Sequence, residues 1–247
     1  ALFHPIYDYL IVMMSIDKIN IIDPYNLQES QTSCFFELAE HRPLWMSLSY
    51  GGNKLAVVWK HFNKETTIGG SVTKIIIYDL PKDLKFDKKN QIEIDITPKS
   101  YKMITPSNKE ISFVNVLFDL SGEYIYITDE NNQIQYFDIN NNNILNISSK
   151  LFNKSLNSIT FSPKFEFILA SGNEGVKVLD PLTFEIYKFI STKHPVKCAQ
   201  LSRLAYSSKP KYHIIFAGGV PAREQAIRQD GGNEIFIYNI ATEDKIC

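Results

Sequence analysis

Short runs of β-branched and aromatic residues recur along this chain, and each run closes on Asp or Asn before a turn. The five runs are residues 19–23, 75–79, 134–138, 176–180 and 235–239. Their closing positions lie between 42 and 59 residues apart. A second marker, an apolar residue that ends an alternating stretch, precedes each run. It falls at Phe3, Leu48, Phe118, Phe161 and Leu201, in steps of 40 to 70 residues.

The two markers predict an all-β fold built from repeated units. Strict alternation over 114–118 and 156–161 is typical of half-buried strands, and no stretch shows a long helical period. Self-similarity at about 40–45 residues, stretched by loops, indicates a WD-repeat β-propeller, whose blades bury their faces only by stacking on neighbours. We expect a single propeller domain over 1–247 with about five blades. The predicted blades are residues 1–40, 44–96, 111–148, 156–191 and 196–247.

Within the most compact unit, the pattern predicts four strands near 156–161, 166–171, 175–180 and 185–191. The third strand of each unit ends in the recurring acidic or amide residue. Because Asp accepts hydrogen bonds from backbone amides two residues on, we expect these side chains to cap turns, not to catalyse. No Trp precedes these Asp residues and no Gly-His pair occurs, so the units lack the usual WD dipeptides.

Composition narrows the function classes. The 247 residues carry 26 basic and 27 acidic side chains, and a near-neutral chain lacks the field that direct nucleic-acid binding needs. No apolar run reaches the ~20 residues that span a bilayer. Cys34, Cys198 and Cys247 have no metal-ligand spacing, which favours free thiols in a reducing compartment. We therefore expect a cytoplasmic protein with no membrane contact.

Catalytic signatures are missing from the sequence. No Walker loop, HExxH, GxSxG or Cys-x-x-Cys motif occurs. The pairs at 218–219 and 231–232 are Gly-Gly, but they lack the Lys-Ser/Thr of a phosphate cradle. We predict no catalytic, cofactor-binding or metal-binding residue. The strand aromatics Tyr78, Tyr136, Phe137 and Tyr238, with Trp45 and Trp59, alternate along strands, so packing is favoured over base stacking.

Two long loops and one charged insertion interrupt the repeats. Residues 61–73 and 218–232 both fall between the second and third strands of their units, so both should lie on one face of a propeller. Loops on a rigid scaffold are frequent binding sites, and they are also tolerated surface insertions; both interpretations stay open. Residues 82–90 are expected to form a solvated connection.

The last third of the chain resembles the i subunit of eukaryotic translation initiation factor 3, a seven-bladed WD-repeat family. The stretches that carry the resemblance are 156–159 through 182–185, 193–199 and 213–219, followed by an insertion at 220–232 and an aromatic strand at 233–238. The order of long and short units also agrees. The family's glycine run is shortened here to 218–221, and its threonines are replaced at 225–227. On this alignment the first and last of the seven blades lie outside the chain.

The resemblance implies a non-catalytic scaffold subunit. It would bind the C-terminal segment of the b subunit and also the g subunit of the same factor. Through that factor it would join the 40S ribosomal preinitiation complex. The docking blades correspond to about 156–247. Within them the candidate partner-binding residues are Asn173, Glu174, Lys193 and His194.

Two other functions remain open on the sequence. A WD-repeat scaffold of an unrelated complex would differ only in its partner, since one fold hosts many functions. A propeller glycoside hydrolase would need two carboxylates about 5–9.5 Å apart at the central channel. Whether the strand-end acids lie in turns or converge on a channel separates these alternatives.

Overall fold

The computed structural model describes ten stretches of the chain. They are residues 1–6, 10–13, 18–22, 34–61, 73–80, 101–104, 112–192, 195–203, 212–218 and 235–239. Every regular element in these stretches is a β-strand, so the described part of the chain is all-β, as expected. The two long loops and the charged insertion fall almost wholly outside these residues.

The strands form five sheets, each with its strands in chain order. The first sheet contains β1 (Leu2–Phe3), β2 (Leu10–Met13), β3 (Lys18–Ile22) and β4 (Cys34–Glu37). The second contains β5 (His41–Leu48), β6 (Lys54–His61), β7 (Thr73–Asp79) and β8 (Tyr101–Ile104). The third contains β9 (Phe113–Phe118), β10 (Tyr124–Asp129), β11 (Ile134–Asp138) and β12 (Asn143–Ile147).

The remaining strands belong to the last two sheets. The fourth contains β13 (Leu156–Phe161), β14 (Ile168–Gly172), β15 (Gly175–Leu179) and β16 (Ile186–Ser191). The fifth contains β17 (Val196–Arg203), β18 (Tyr212–Gly218) and β19 (Ile235–Asn239). Neighbouring strands are antiparallel throughout the first, second, fourth and fifth sheets, as are β9 and β10. This series of antiparallel sheets is compatible with a β-propeller-like fold.

The predicted strands of the fourth sheet agree with the observed ones to within about two residues, whereas the second sheet differs. Its fourth strand, β8, lies at Tyr101–Ile104, beyond residue 96 where the predicted unit ends. Pairing decides the position, because Ile104 lies opposite Ile75 and Tyr101 opposite Tyr78 in the ladder with β7. The sequence alternates at 92–96 as well, and alternation alone does not choose between the two stretches.

The chain divides into two compact units, which are described separately. Unit 1 comprises residues 1–129 and 136–145, and unit 2 comprises residues 130–135 and 146–247. The division therefore falls within the third sheet.

In unit 1, strand β6 is buried on both of its faces. Leu55, Val57 and Trp59 pack in one hydrophobic cluster that includes Ile19 of the first sheet. The intervening Ala56 and Val58 pack in a second cluster, which includes β9 and β10 residues of the third sheet. Side chains alternate between the faces of a strand, so an uninterrupted apolar run marks a strand covered on both sides.

Side-chain hydrogen bonds tie the second sheet to the third. The hydroxyl oxygen of Thr73 accepts from the N–H of Phe113 at 2.6 Å, and that of Ser47 accepts from the N–H of Phe118 at 3.3 Å. Each bond satisfies a backbone donor on β9. Sheets packed face to face in this way are held by polar contacts as well as by the apolar clusters.

In unit 2, the fourth sheet packs on the first strand of the fifth. Leu169, Val176 and Ile190 form a buried cluster with Val196 and Ala199 of β17. At the edge of this cluster the Thr160 hydroxyl donates to Ala199 O at 2.7 Å, and the Asn157 side-chain amide donates to Val196 O at 2.7 Å. A polar side chain on β13 thus substitutes for strand pairing between sheets.

Aspartates cap turns where the repeat predicts them. Asp138 accepts from the N–H and the side-chain amide of Asn141 at 2.9 and 2.8 Å. Asp180 accepts from the N–H groups of Leu182 and Thr183, both at 2.8 Å. The Thr183 and Leu182 amides hold the pKa of Asp180 below its usual value. For these two aspartates the predicted structural role is confirmed.

His4 joins the first two sheets. It is buried after β1, and its Nδ1 accepts from the N–H of Ile6 at 3.2 Å. Its Nε2 lies 2.8 Å from Gly52 O in the turn between β5 and β6. Since a carbonyl can only accept, Nε2 carries the proton and the ring is the neutral tautomer. Burial lowers the pKa of His4, which the Gly52 bond opposes in part.

Gly52 can only be glycine in this junction. Its φ is +69°, and an added Cβ would lie 2.2 Å from Cε1 of His4. We predict that Gly52→Ala destabilises the protein by about 1–3 kcal/mol, through backbone strain and displacement of the ring. Urea unfolding measures the change. Gly51→Ala is the matched control, because its Cβ would meet only Asn53 Oδ1 at 3.4 Å. Equal losses in the two variants would contradict this role.

The His4 junction also predicts a pH dependence. A histidine with a lowered folded-state pKa contributes stability that is complete above the unfolded value of about 6.5 and is lost as pH falls below it. Burial also lowers the pKa of His41, so wild type must be compared with His4→Gln. We expect the free energy of unfolding to fall more steeply between pH 7 and 5 in wild type than in His4→Gln. Parallel pH profiles would show that His4 stays neutral in both states.

Candidate interaction surface

Two of the four candidate residues are placed by the structure. Asn173 and Glu174 form the turn between β14 and β15, while Lys193 and His194 lie outside the described residues. Asn173 and Glu174 are each half-buried. We call the turn with the preceding connection, residues 149–155 and 172–175, the rim of the fourth sheet.

Two glycines set the shape of this turn. Gly175 has a φ of +138°, which L side chains rarely adopt. Gly172 lies so close to the preceding connection that an added Cβ would be 2.5 Å from Ser155 O and 2.8 Å from the ring of Phe152. The turn is therefore held tightly against residues 149–155.

The side chains of Asn173 and Glu174 are engaged within the protein. Asn173 Oδ1 accepts from the Ser155 hydroxyl at 2.8 Å, and its backbone N–H donates to Ser155 O at 3.1 Å. Glu174 Oε1 accepts from the N–H of Asn153 at 2.9 Å. Hence these residues first stabilise the rim, and a partner would meet a surface that is already ordered. Their predicted part in partner binding stays a prediction.

Asn132 is the main clamp of the rim, and the sequence did not single it out. It lies in the turn between β10 and β11 with φ of 63° and is buried. Its Oδ1 accepts from the N–H of Leu156 at 2.9 Å, and its Nδ2 donates to Phe152 O at 3.0 Å and Lys154 O at 3.2 Å. The available signal was Asn itself at a turn, since Asn tolerates the left-handed region.

Lys177 completes the underside of the rim. Its ammonium group lies 5.0 Å from the ring centre of Phe152 and 5.2 Å from that of Phe189, and it donates to Leu151 O. A cation between two aromatic faces is favoured by the negative potential of the rings. The same amine thus links β15 and β16 to the connection at 151–152.

The rim presents fixed polar groups and no evident reactive centre. Its carboxylate and amide oxygens accept from backbone and hydroxyl donors, an arrangement suited to holding a surface in place. Within the described residues no group of three or more His, Cys, Asp or Glu side chains could hold a metal ion. Cys198, the cysteine whose side chain is described, is an exposed free thiol.

Tyr78, Phe137 and Trp59 are buried, which confirms their predicted packing role. Tyr136 is half-buried and stacks on Tyr126, with ring centres 4.7 Å apart.

The chain matches no protein-family model and no curated protein. In the part of the chain that the structure describes, no helix is long and apolar enough to cross a membrane.

The clamp can be tested by substitution. We predict that Asn132→Ala costs about 2–4 kcal/mol of unfolding free energy, because it leaves the Leu156 N–H and two carbonyls without their partner in a buried site. Asn142→Ala is the control: Asn142 has φ of 56° but is exposed, so only about 1 kcal/mol of backbone preference is lost. Chemical denaturation of both variants measures the difference. A loss at position 132 no larger than that at 142 would refute the clamp.

Proposed function

We propose that the sheets of this chain are blades of a WD-type β-propeller. The repeat in the sequence supports this fold, as does the succession of antiparallel sheets. In unit 1, β5 of the second sheet lies against β9 of the third, and in unit 2, β13 lies against β17. First strands that lie side by side are expected where blades converge on a common axis.

We further propose that the protein is a scaffold subunit of translation initiation factor 3, of the i type. The resemblance of 156–238 to that family carries the proposal, and the stretches concerned run through β13–β19. It would act by presenting a rigid surface to the C-terminal segment of the b subunit and to the g subunit, with no bond made or broken. A scaffold needs ordered edges, which the rim of the fourth sheet provides through Asn132 and Asn173.

The roles of the strand-end acids favour a scaffold over a hydrolase. Asp138 and Asp180 are engaged in turn caps. Asp119, at the turn between β9 and β10, accepts from the N–H of Gly122 at 2.9 Å and from the hydroxyl of Ser121. A glycoside hydrolase would instead need two carboxylates directed at one bond.

Binding to the b subunit tests the proposal. The chain and a tagged C-terminal segment of the b subunit from the same organism should co-elute on size exclusion as a stable one-to-one complex. No complex at micromolar concentration would reject the function. A complex formed equally well with an unrelated helical peptide of the same charge would also count against it.

Variants test whether the rim is the docking site. Glu174→Gln keeps an oxygen for the Asn153 N–H, so it removes charge without removing the turn contact. We expect Glu174→Gln, or Lys193→Ala with His194→Ala, to weaken b-segment binding about tenfold at unchanged stability, the loss of roughly one charged contact. Lys164→Ala is the control, since exposed Lys164 lies in the β13–β14 turn at the other end of the same sheet. Equal binding by all variants would place the contact elsewhere.

A further inference from the structure

The outer edge of the fourth sheet carries an unusual number of exposed apolar side chains. Ten large hydrophobic residues are exposed in the described part of the chain, and four of them lie between positions 182 and 189. Leu182 is 60% exposed, Ile186 48%, Tyr187 63% and Phe189 45%. Three of the four belong to β16, the last strand of its sheet. We call Leu182, Ile186, Tyr187 and Phe189 the edge surface.

The backbone of β16 has unpaired groups on its outer side. Thr192 N–H donates to Glu174 O across the ladder with β15, and Ile190 lies opposite Val176. In an antiparallel ladder, residues that exchange bonds with the partner strand alternate with residues that face away. Ile190 and Lys188 therefore bond towards β15, while the N–H and C=O groups of Phe189 and Ser191 point outward.

The aromatic side chains of the edge surface are held in place although they are exposed. Tyr187 meets Phe167 edge-on, with ring centres 5.2 Å apart, and its hydroxyl hydrogen-bonds to the carboxylate of Asp180. The ring of Phe189 lies against the ammonium group of Lys177. Rings that are fixed before binding lose little conformational freedom on contact with a partner.

The size of the edge surface decides between possible occupants. A stable dimer needs about 800 Å² from each partner. Four partly exposed side chains supply roughly 300–600 Å², the size of the largest patch on an ordinary monomer. The six residues of β16 extend about 20 Å. This is too small for a second copy of the chain but suits one extended segment, whose affinity comes largely from main-chain hydrogen bonds.

We propose that β16 binds an extended peptide with alternating apolar side chains, which adds a fifth strand to the fourth sheet. The outward groups of Phe189 and Ser191 pair with the backbone of the peptide, and its apolar side chains contact the edge surface. This site lies on the strand edge and not on the rim, so it goes beyond the function proposed above and does not rest on it.

A synthetic probe tests the site on the intact chain. The probe is a fluorescein-labelled, end-capped heptapeptide, Thr-Val-Thr-Val-Lys-Val-Thr. The control peptide has the same side chains but N-methyl groups on alternate amides along one edge. We expect saturable binding of the probe by fluorescence anisotropy and at least a roughly tenfold weaker binding of the methylated peptide. No saturable binding, or equal binding of both peptides, would overturn the proposal.

Two variants locate the site. Ser191→Pro removes one outward N–H, and proline is tolerated where the N–H of an edge strand faces away from its sheet. Phe189→Thr removes the ring but keeps a β-branched residue. Both should weaken probe binding about tenfold, and Leu145→Thr, an equally exposed position on β12, should not. Loss of binding in Leu145→Thr alone would move the site to another edge and refute the proposal.

Hydrogen exchange and sedimentation close the remaining possibilities. Bound probe should slow exchange of the Phe189 and Ser191 amides, and unchanged exchange there would refute strand addition even if the probe binds. Sedimentation of the free chain should show monomers at micromolar concentration. A dimer that Ser191→Pro dissociates would instead make a second copy the occupant and overturn the proposal.

Discussion

The central constraint on this chain is that its sheets are apolar on both faces. Strand β6 shows this most clearly, because Leu55, Val57 and Trp59 are buried on one side and Ala56 and Val58 on the other. A sheet of this kind cannot be stable alone, since one uncovered face would expose a full row of large side chains to water. Each sheet therefore depends on its neighbours, and the repeat in the sequence follows from that dependence.

Polar side chains handle the places where sheets meet without strand pairing. His4, Thr73 and Thr160 each bond to the backbone of the following sheet, at the positions where apolar packing ends. Such bonds contribute little net free energy singly, but leaving their partners unsatisfied in a buried junction would be costly. They fix how one sheet lies against the next, and apolar clusters alone are less directional.

Part of this structure could be predicted from local pattern, and part could not. The strands of the fourth sheet follow from alternation and from the glycines at 172 and 175, because both signals act over a few residues. The position of β8 could not be predicted, since it depends on which of two alternating stretches pairs with β7. The clamp at Asn132 was also missed: its neighbour Asn131 has the same chemistry, and only the left-handed backbone at 132 aims the amide at the rim. Asn173 and Glu174 were found as a turn, but their internal hydrogen bonds depend on a connection some 20 residues earlier.

The Asn132 clamp also exposes the protein to a specific form of chemical ageing. Hydrolysis of its side-chain amide would leave an aspartate of the same shape, with an oxygen in place of Nδ2. That oxygen would face Phe152 O and Lys154 O, so two attractive contacts would become repulsions between acceptors. The carboxylate would be buried among carbonyl groups, where its charge is strongly disfavoured. A change of about one mass unit would thus loosen the rim, and the two side-chain hydrogens that the native amide donates there keep this residue from being replaced by its acid.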